Sequence, residues 1–419
     1  MKIIVIGAGL MGLSSALYLS RQGHEVIVID RQSGPAEETS YANAGLLHPS
    51  QAGPWNHPGI ALQIIKWMGK EDSPFLLRPA AIPSLLGWGF RFMRHASPDR
   101  FRANLKANTR LANYTMQCLH EFTEEHGFDY GASALGSMKI FENKQDLEKE
   151  LALIPVYESL GVVCEALKQD AILDIEPALL AGGANLIGGI RYPGDEAGDA
   201  YRFCQQLNKL TRNNNVRFEY GLSVQKILRS AMKITGIETS RGLYTGDAYV
   251  LAAGSYSPRL AAGLGLNIPV RPVKGYSVTL DMQRWETRPR MPVIDEQGHV
   301  AITPLGERLR AAGTAELNGY DTRINRARIQ LILDRIITRY PFTKVHINAD
   351  QINAWTGLRP TSADGVPIIG ESAINNLFLN TGHGHLGWSL CMGSGKLLAD
   401  LISGQKTGIS LSPYALARF

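Results

Sequence analysis

The chain has 419 residues, 44% of them hydrophobic and 19% charged, with 43 basic against 38 acidic side chains and a formal charge of +5. One simple hydrophobic core does not extend to that length, so two or three domains are expected. The basic excess is mild and scattered, which argues against a nucleic-acid protein and suits carboxylate substrates or an anionic membrane surface.

The opening stretch carries the clearest pattern. Lys2–Ile6 is a short apolar, β-branched run that reads as a buried strand. Gly7-Ala8-Gly9-Leu10-Met11-Gly12 then matches G-x-G-x-x-G, and Leu10 to Arg21 has helical composition. Glu25 to Ile29 is a second strand-like run, ending at Asp30, eighteen residues beyond Gly12. Strand, glycine loop, helix, strand and terminal acid form the dinucleotide fingerprint. Gly7 permits the tight turn, Gly9 lets backbone approach a pyrophosphate, and Gly12 lets the helix pack on the strand. The helix N-terminus offers unpaired N–H groups to the phosphates. Asp30 would accept from a ribose diol and repel a 2′-phosphate, which favours FAD or NAD over NADP.

After a polar loop, Ser40 to Leu47 is rich in small residues that allow close approach to a ligand. Ile60 to Met68 and Phe75 to Met93 concentrate Trp67, Trp88, Phe90 and Phe92 among Lys66, Arg78, Arg91 and Arg94, broken by prolines. That mixture is expected either as a segment at a membrane interface or as a helix pair packing its tryptophans into a second domain. Ala103 to His126 reads as a long helix, Ser137 to Phe141 as a strand, Lys144 to Leu160 as one helix and Ile187 to Tyr192 as a strand. Asp199 to Thr211 reads as a helix, followed by strands at Val216–Glu219, Val224–Leu228 and Tyr249–Gly254. Val270–Leu280, His299–Thr303 and Arg308–Ala312 alternate like an antiparallel sheet, and Asn325 to Tyr340 is helical. Gly357 to Pro360 reads as a loop, Val366–Ile369 and Leu377–Thr381 as strands, and the chain closes with a helix to about Ile402.

The expected fold is therefore α/β, a Rossmann-like dinucleotide domain interleaved with an α+β substrate domain on an antiparallel sheet. The expected division is 1–56, 193–263 and 353–419 for the first, and 57–192 and 264–352 for the second. Cys118, Cys164, Cys204 and Cys391 form no C-x-x-C pair and are expected as reduced thiols. No apolar run reaches the ~18–20 residues of a membrane span, and no signal peptide precedes the first strand. A cytoplasmic location is expected, if membrane-associated then on its inner face.

These motifs resemble the FAD-dependent amine and amino-acid oxidoreductases of the D-amino acid oxidase superfamily, most closely the D-amino acid dehydrogenase small-subunit family. The carriers are the Gly7–Gly12 loop, Glu38 to Gly45, Pro54-Trp55, Ile65 to Met68, Asp195 to Asp199, Gly254 to Ser257, Pro272 to Ser277, Val300 to Thr303, Trp355 to Pro360 and Leu379 to Gly384 with Leu386-Gly387-Trp388. The resemblance implies noncovalent FAD and oxidation of a D-amino acid to an imino acid, hydrolysed to a 2-oxo acid and ammonia. Hydride would pass from the substrate α-carbon to flavin N5, and electrons on to a quinone or dye. A peripheral membrane contact through 60–94 fits that acceptor.

The expected FAD contacts are Gly7, Ala8, Gly9, Met11 and Gly12 at the phosphates, with Asp30 and Arg31 at the ribose. Ser40, Asn43, Ala44, Gly45 and Leu46 follow, then Val224 holding adenine through its backbone, and Ala253 and Gly254. Trp355, Gly357, Gly384, His385, Leu386 and Gly387 complete the set from the C-terminal end. Arg359 is the first candidate to clamp the substrate carboxylate, because a guanidinium offers two parallel hydrogen bonds. The alternative is a buried interdomain ion pair. Tyr276 is the second candidate, against a half-buried sheet residue, and Lys274 is expected as a solvated strand lysine. His48 and His385 depart from the family pattern and are expected near the flavin, which leaves glycine, sarcosine-like compounds and cyclic imino acids such as D-proline or hydroxyproline open as substrates. No cysteine lies between Trp355 and Gly370 to make a covalent flavin link. His383 and His385 lack a third ligand nearby, so no metal is expected. An oxidase acting on larger amines and a nucleotide-binding regulator without chemistry are the rival classes.

Overall fold

The computed structural model describes residues 1–67, 69–347 and 352–419. The chain opens as β1 (Lys2–Ile6), α1 (Leu10–Arg21) and β2 (Glu25–Ile29). It continues through β3 (Leu46–Leu47), α2 (Ile60–Trp67), β4 (Phe75–Leu77), α3 (Ile82–Arg94) and α4 (Pro98–His126). Next come β5 (Ser137–Phe141), α5 (Lys144–Leu151), α6 (Ile154–Glu158), β6 (Glu165–Leu167), α7 (Gln169–Ile175), β7 (Gly188–Tyr192) and β8 (Glu196–Ala197). Helix α8 (Ala200–Arg212) leads into β9 (Val216–Glu219), β10 (Val224–Ser230), β11 (Lys233–Thr239), β12 (Gly242–Tyr244), β13 (Ala248–Leu251) and α9 (Ser257–Ala262). Then come β14 (Val270–Asp281), β15 (Val293–Asp295), β16 (Val300–Leu305), β17 (Arg308–Leu317) and α10 (Arg326–Arg339). The chain closes with β18 (Asn353–Ser362), β19 (Ile368–Glu371), β20 (Leu377–Thr381) and α11 (Gly387–Ile402).

A six-stranded sheet has the order β19-β20-β13-β1-β2-β9, parallel except for β19. Its central strands β1, β2 and β13 are almost wholly apolar because both faces are covered. Ile3 and Val5 join Val26 and Val28 in a core with α1, α4 and α11, while Ile4 and Ile6 join Ile27 and Ile29 in a second core with β10 and β11. The second sheet has nine strands in the order β18-β14-β17-β16-β15-β5-β7-β6, with β4 beside β17. It is mostly antiparallel, but β15 runs parallel to β5 and β4 parallel to β17. Helix α10 covers one of its faces: Ile329, Ile332 and Ile336 pack on Val278, Leu280 and Ile302.

Three expectations need correction. Residues 144–160 form two helices, because Pro155 starts a new one in the first turn of α6. The long helix begins at Pro98, with proline at its start where no N–H is needed, and ends at Gly127 in the left-handed conformation, φ 58°. Residues 357–360 are not a loop but part of β18, paired with β14 over ten registers. That strand belongs to the nine-stranded sheet, although the division expected from the sequence places it in the first unit. The 60–94 segment is a helix pair that packs Ile60, Trp88 and Phe92 inward and leaves other apolar side chains exposed; Met68 lies outside the described residues. Among the described residues no helix is long and apolar enough to cross a membrane.

Candidate active site

One cavity of about 1060 Å³ runs from the carboxyl ends of β1 and β2 to the face of the nine-stranded sheet. It is as large as the ~300–1,000 Å³ range of ligand pockets allows. Its first end is made by the glycine loop. Gly7 has φ +108°, and a Cβ there would stand 2.6 Å from the Ala252 carbonyl oxygen. A Cβ on Gly12 would stand 1.8 Å from the Gly7 carbonyl oxygen, so helix and strand meet too closely for any side chain. Asp30 accepts from the Ala8 N–H at 2.6 Å and the Gln32 N–H at 2.8 Å, which ties loop to strand. Its carboxyl lines the cavity and burial raises its pKa. Arg31 stacks over Tyr256 at 3.8 Å and pairs with Glu38 at 2.5 Å.

Of the expected cofactor residues, Gly7, Gly9, Met11, Asp30, Arg31, Ser40, Asn43, Ala44 and Leu46 line this cavity. Val224, Ala253, Gly254, Trp355, Gly357, Gly384, His385 and Gly387 line it too. Ala8 and Gly12 lie behind the loop, Gly45 binds Gly198 through its carbonyl at 2.7 Å, and Leu386 is buried at the start of α11. The loop before α11 is fastened to β18 by the Gly384 N–H on the Pro360 carbonyl, 2.9 Å. It brings the N-terminus of α11, with its unpaired N–H groups, to the cavity wall.

The second end holds Arg359. In β18, Trp355, Gly357 and Arg359 alternate onto the cavity face. Arg359 Nη1 donates to the Thr314 carbonyl at 2.8 Å, and its guanidinium lies 5.6 Å from the Trp55 ring centroid. Among the described residues it has no carboxylate partner, and burial lowers its pKa to about 10. The interdomain ion pair is therefore not formed. Gly275, opposite Gly357, makes the room: a Cβ there would stand 2.3 Å from the guanidinium carbon.

Tyr276 follows Gly275 and so points to the other side of the sheet. The residue borders the cavity, but its phenol donates to Glu316 at 2.5 Å and belongs to the core under α10. Arg359 is thus the side chain of the two that faces the cavity. Lys274 is not solvated: it is 2% exposed, with Nζ donating to the Arg323 carbonyl at 2.8 Å and 3.8 Å from Glu316. His48 and His385 both line the cavity, and burial lowers their pKa to about 4 and about 3. Both imidazoles are neutral near pH 7. The ring of His385 stacks on Trp55 at 4.9 Å and 10°. Trp55 and Gly275 are site residues to which the sequence alone assigns no role; a tryptophan after Gly53-Pro54 is the available signal. His383 also borders the cavity, with Nε2 3.0 Å from Ser394 Oγ.

The elongated cavity, the glycine loop and the acid at its edge fit FAD; Asp30 and Val224 would hold its adenosine end, and Gly357 and Gly387 would lie by its ring end. No cysteine lines the cavity, so nothing there offers a thiol for a covalent link. Among the described residues no three His, Cys, Asp or Glu side chains are grouped to hold a metal.

Comparison with known proteins agrees with this geometry. Residues 2–401 match the family described as FAD dependent oxidoreductase. A D-amino acid dehydrogenase of Allorhizobium ampelinum is 39% identical over 419 residues, covering 100% of this chain and 99% of the relative. A D-amino acid dehydrogenase of Granulibacter bethesdensis is also 39% identical, covering 100% of both chains. The crystal structure of glycine oxidase from Bacillus cereus superposes with a TM-score of 0.74 at 25% identity, covering 100% of this chain and 99% of that one. With a match from the first strand to the last helix, and a cavity shaped for the cofactor that the family is named for, the chain belongs to the FAD dependent oxidoreductase family.

Proposed function

We propose that the protein oxidises D-amino acids to 2-oxo acids and ammonia through an imino acid, passing electrons to a quinone or dye. The observation that carries this is Arg359, a guanidinium on the wall of the cavity with no carboxylate partner among the described residues. Leaving such a charge uncompensated is costly unless a ligand supplies the counter-charge. A substrate carboxylate does so with two parallel hydrogen bonds. Both relatives carry the dehydrogenase name over their whole length, which supports the same reaction.

FAD in the cavity supplies the acceptor for the hydride that leaves the substrate α-carbon. The chain's own residues bind and orient. Arg359 fixes the carboxylate, and the Trp55–His385 stack beside it limits where the side chain lies. Neutral His48 and His385 offer acceptors to the amino group instead of repelling it. Orientation of this kind is the main contribution a protein makes to hydride transfer. The flat Trp55–His385 wall also favours a second reading, in which small or cyclic substrates are preferred: glycine, sarcosine-like compounds, D-proline or hydroxyproline.

The nine-stranded sheet, β18 included, is the substrate unit in this proposal, and the six-stranded sheet is the cofactor unit. A quinone resides in a bilayer, so peripheral membrane contact through residues 60–94, on the inner face of the membrane, belongs to the same reading. The test is Arg359→Ala. Its kcat/KM for carboxylate substrates is expected to fall by about 10², the scale of a lost charged hydrogen-bonded pair. Unchanged kinetics would remove the clamp and, with it, the basis of this reading.

A further inference from the structure

Neighbouring carboxylates of β15 and the turn after it are neutralised to different degrees on the two faces of the nine-stranded sheet. Asp295 points to α10, where Arg335 lies 2.5 Å and Arg339 2.9 Å from its carboxylate. Ile294 and Glu296 alternate onto the other face and line the cavity. Lys139 of β5 stands beside Ile294 in the register and lines it too. Its Nζ is 2.8 Å from Glu150 and 3.0 Å from Glu296, so one ammonium serves two carboxylates. The group therefore holds one negative charge in excess. Its neighbours do not cancel that charge: Asp146 and Lys149 pair with each other at 2.9 Å, and Arg102 is 62% exposed with Asp99 3.7 Å away.

Glu150 is occupied on its other oxygen, 3.4 Å from the Tyr192 phenol. The other oxygen of Glu296 has no partner among the described residues. Burial raises the pKa of Glu296, but Lys139 more than offsets this and holds it below the ordinary carboxylate value, so the group is ionised at neutral pH. Tyr157 of α6 lines the same part of the cavity and is only 4% exposed. Its hydroxyl makes no hydrogen bond among the described residues, although a buried phenol ordinarily finds a partner. A carboxylate oxygen and a phenol thus stand open on one wall.

That wall lies within reach of a ligand held by Arg359. The guanidinium rests on the Thr314 carbonyl of β17. Gly313, next to Thr314, stands opposite Val300 of β16, and Val300 stands opposite Asp295 of β15. Two strand spacings, about 10 Å, therefore separate the anchor of Arg359 from the row that leads to Glu296. The floor between them is low, because Ala312 and Ala301 face the cavity opposite each other. An extended side chain of lysine or arginine length covers such a distance.

We propose that the substrate side chain runs along this floor and ends in a basic group on Glu296 and Tyr157, so that the preferred substrates are D-amino acids with long cationic side chains. This rests on the function proposed above, which sets the substrate carboxylate on Arg359. A cation completes the neutralisation of the two carboxylates around Lys139, whereas an anionic side chain meets their excess charge and is repelled.

The test compares kcat/KM in dye reduction by the purified FAD-containing protein for D-lysine, D-arginine, D-glutamate and D-norleucine, which has a chain like that of lysine without the charge. D-Lysine and D-arginine are expected to exceed D-norleucine by about tenfold or more, the scale of a charged hydrogen bond, with D-glutamate the poorest of the four. In Glu296→Gln the ratio of D-lysine to D-norleucine is expected to fall to within about threefold of unity, and in Tyr157→Phe to drop by about threefold. A defect of folding alone lowers both substrates together and leaves their ratio standing. If D-norleucine, D-glutamate, glycine or D-proline is a better wild-type substrate than D-lysine, or if neither variant moves the ratio, the proposal is overturned, while turnover of D-amino acids as a class leaves the proposed function in place. Calorimetric titration with ε-aminocaproate and caproate reads the same pocket without turnover. The amino compound is expected to bind about tenfold or more tightly, and equal binding overturns the proposal. That preference in a protein that turns over no amino acid would keep the cation pocket and count against the proposed function instead.

Discussion

Arg359 is held by a carbonyl, an aromatic face and the absence of a side chain at Gly275, with no acid among the described residues to neutralise it. The residue type was legible in the sequence, but the reason for Gly275 was not, because it exists only once β14 and β18 are paired. Tyr276 shows the same limit from the other side. Alternation along a strand is visible in sequence, yet which parity faces the cofactor is decided by partners far away in the chain. Lys274 is buried for that reason too, paired across the strands with Glu316. At this scale His383 gives a clean prediction. Burial lowers its pKa from 6.5 to about 3, so below about pH 6.5 the unfolded chain takes up a proton that the folded one refuses. Its share of stability is present above pH 6.5 and is lost as pH falls toward 3. In thermal melts, the Tm of wild type minus that of His383→Asn should therefore shrink as pH is lowered from 7 to about 4. A difference that grows over that range would mean that His383 is not held neutral.

Among the elements, β1-α1-β2 was fully readable because its determinants are local: β-branched strands, a glycine turn and an acid at fixed spacing. Strand β18 was not. Its glycine and proline argue for a loop, and long-range pairing overrides them. Pro360 lies directly opposite Pro272, so neither strand needs an N–H at that register, and the ladder continues past both rings. The split between α5 and α6 follows a single proline and alters only a boundary. The tightest approach in the first unit is Gly12 against the Gly7 carbonyl oxygen, which would stand 1.8 Å from an added Cβ. Gly12→Ala must push α1 off β1 and spoil the loop that cradles the pyrophosphate. The variant is expected to purify with less than about a tenth of the wild-type flavin absorbance and to melt lower, by the few kcal/mol that overpacking costs. Full flavin content in that variant would refute the close-packing account of the motif.

Across the whole molecule, two sheets drawn from alternating parts of the chain meet at one cavity, the first presenting a glycine loop and the second a guanidinium. The interleaving was legible because fingerprint-like strands recur at the start, middle and end of the sequence. The size of the second sheet was not, since β4, β6 and β15 are short strands whose pairing is fixed by distant neighbours. The central claim is that this cavity joins FAD to an amino acid held by its carboxylate, with a quinone or dye as acceptor. It is tested most directly by assaying the purified FAD-containing protein with D- and L-amino acids, glycine and D-proline, following dye reduction and oxygen uptake side by side. Dye reduction is expected with D-amino acids, little or none with their L-enantiomers, and oxygen uptake at a small fraction of the dye rate. Turnover of L-enantiomers alone, or oxygen uptake that matches the dye rate, would contradict it.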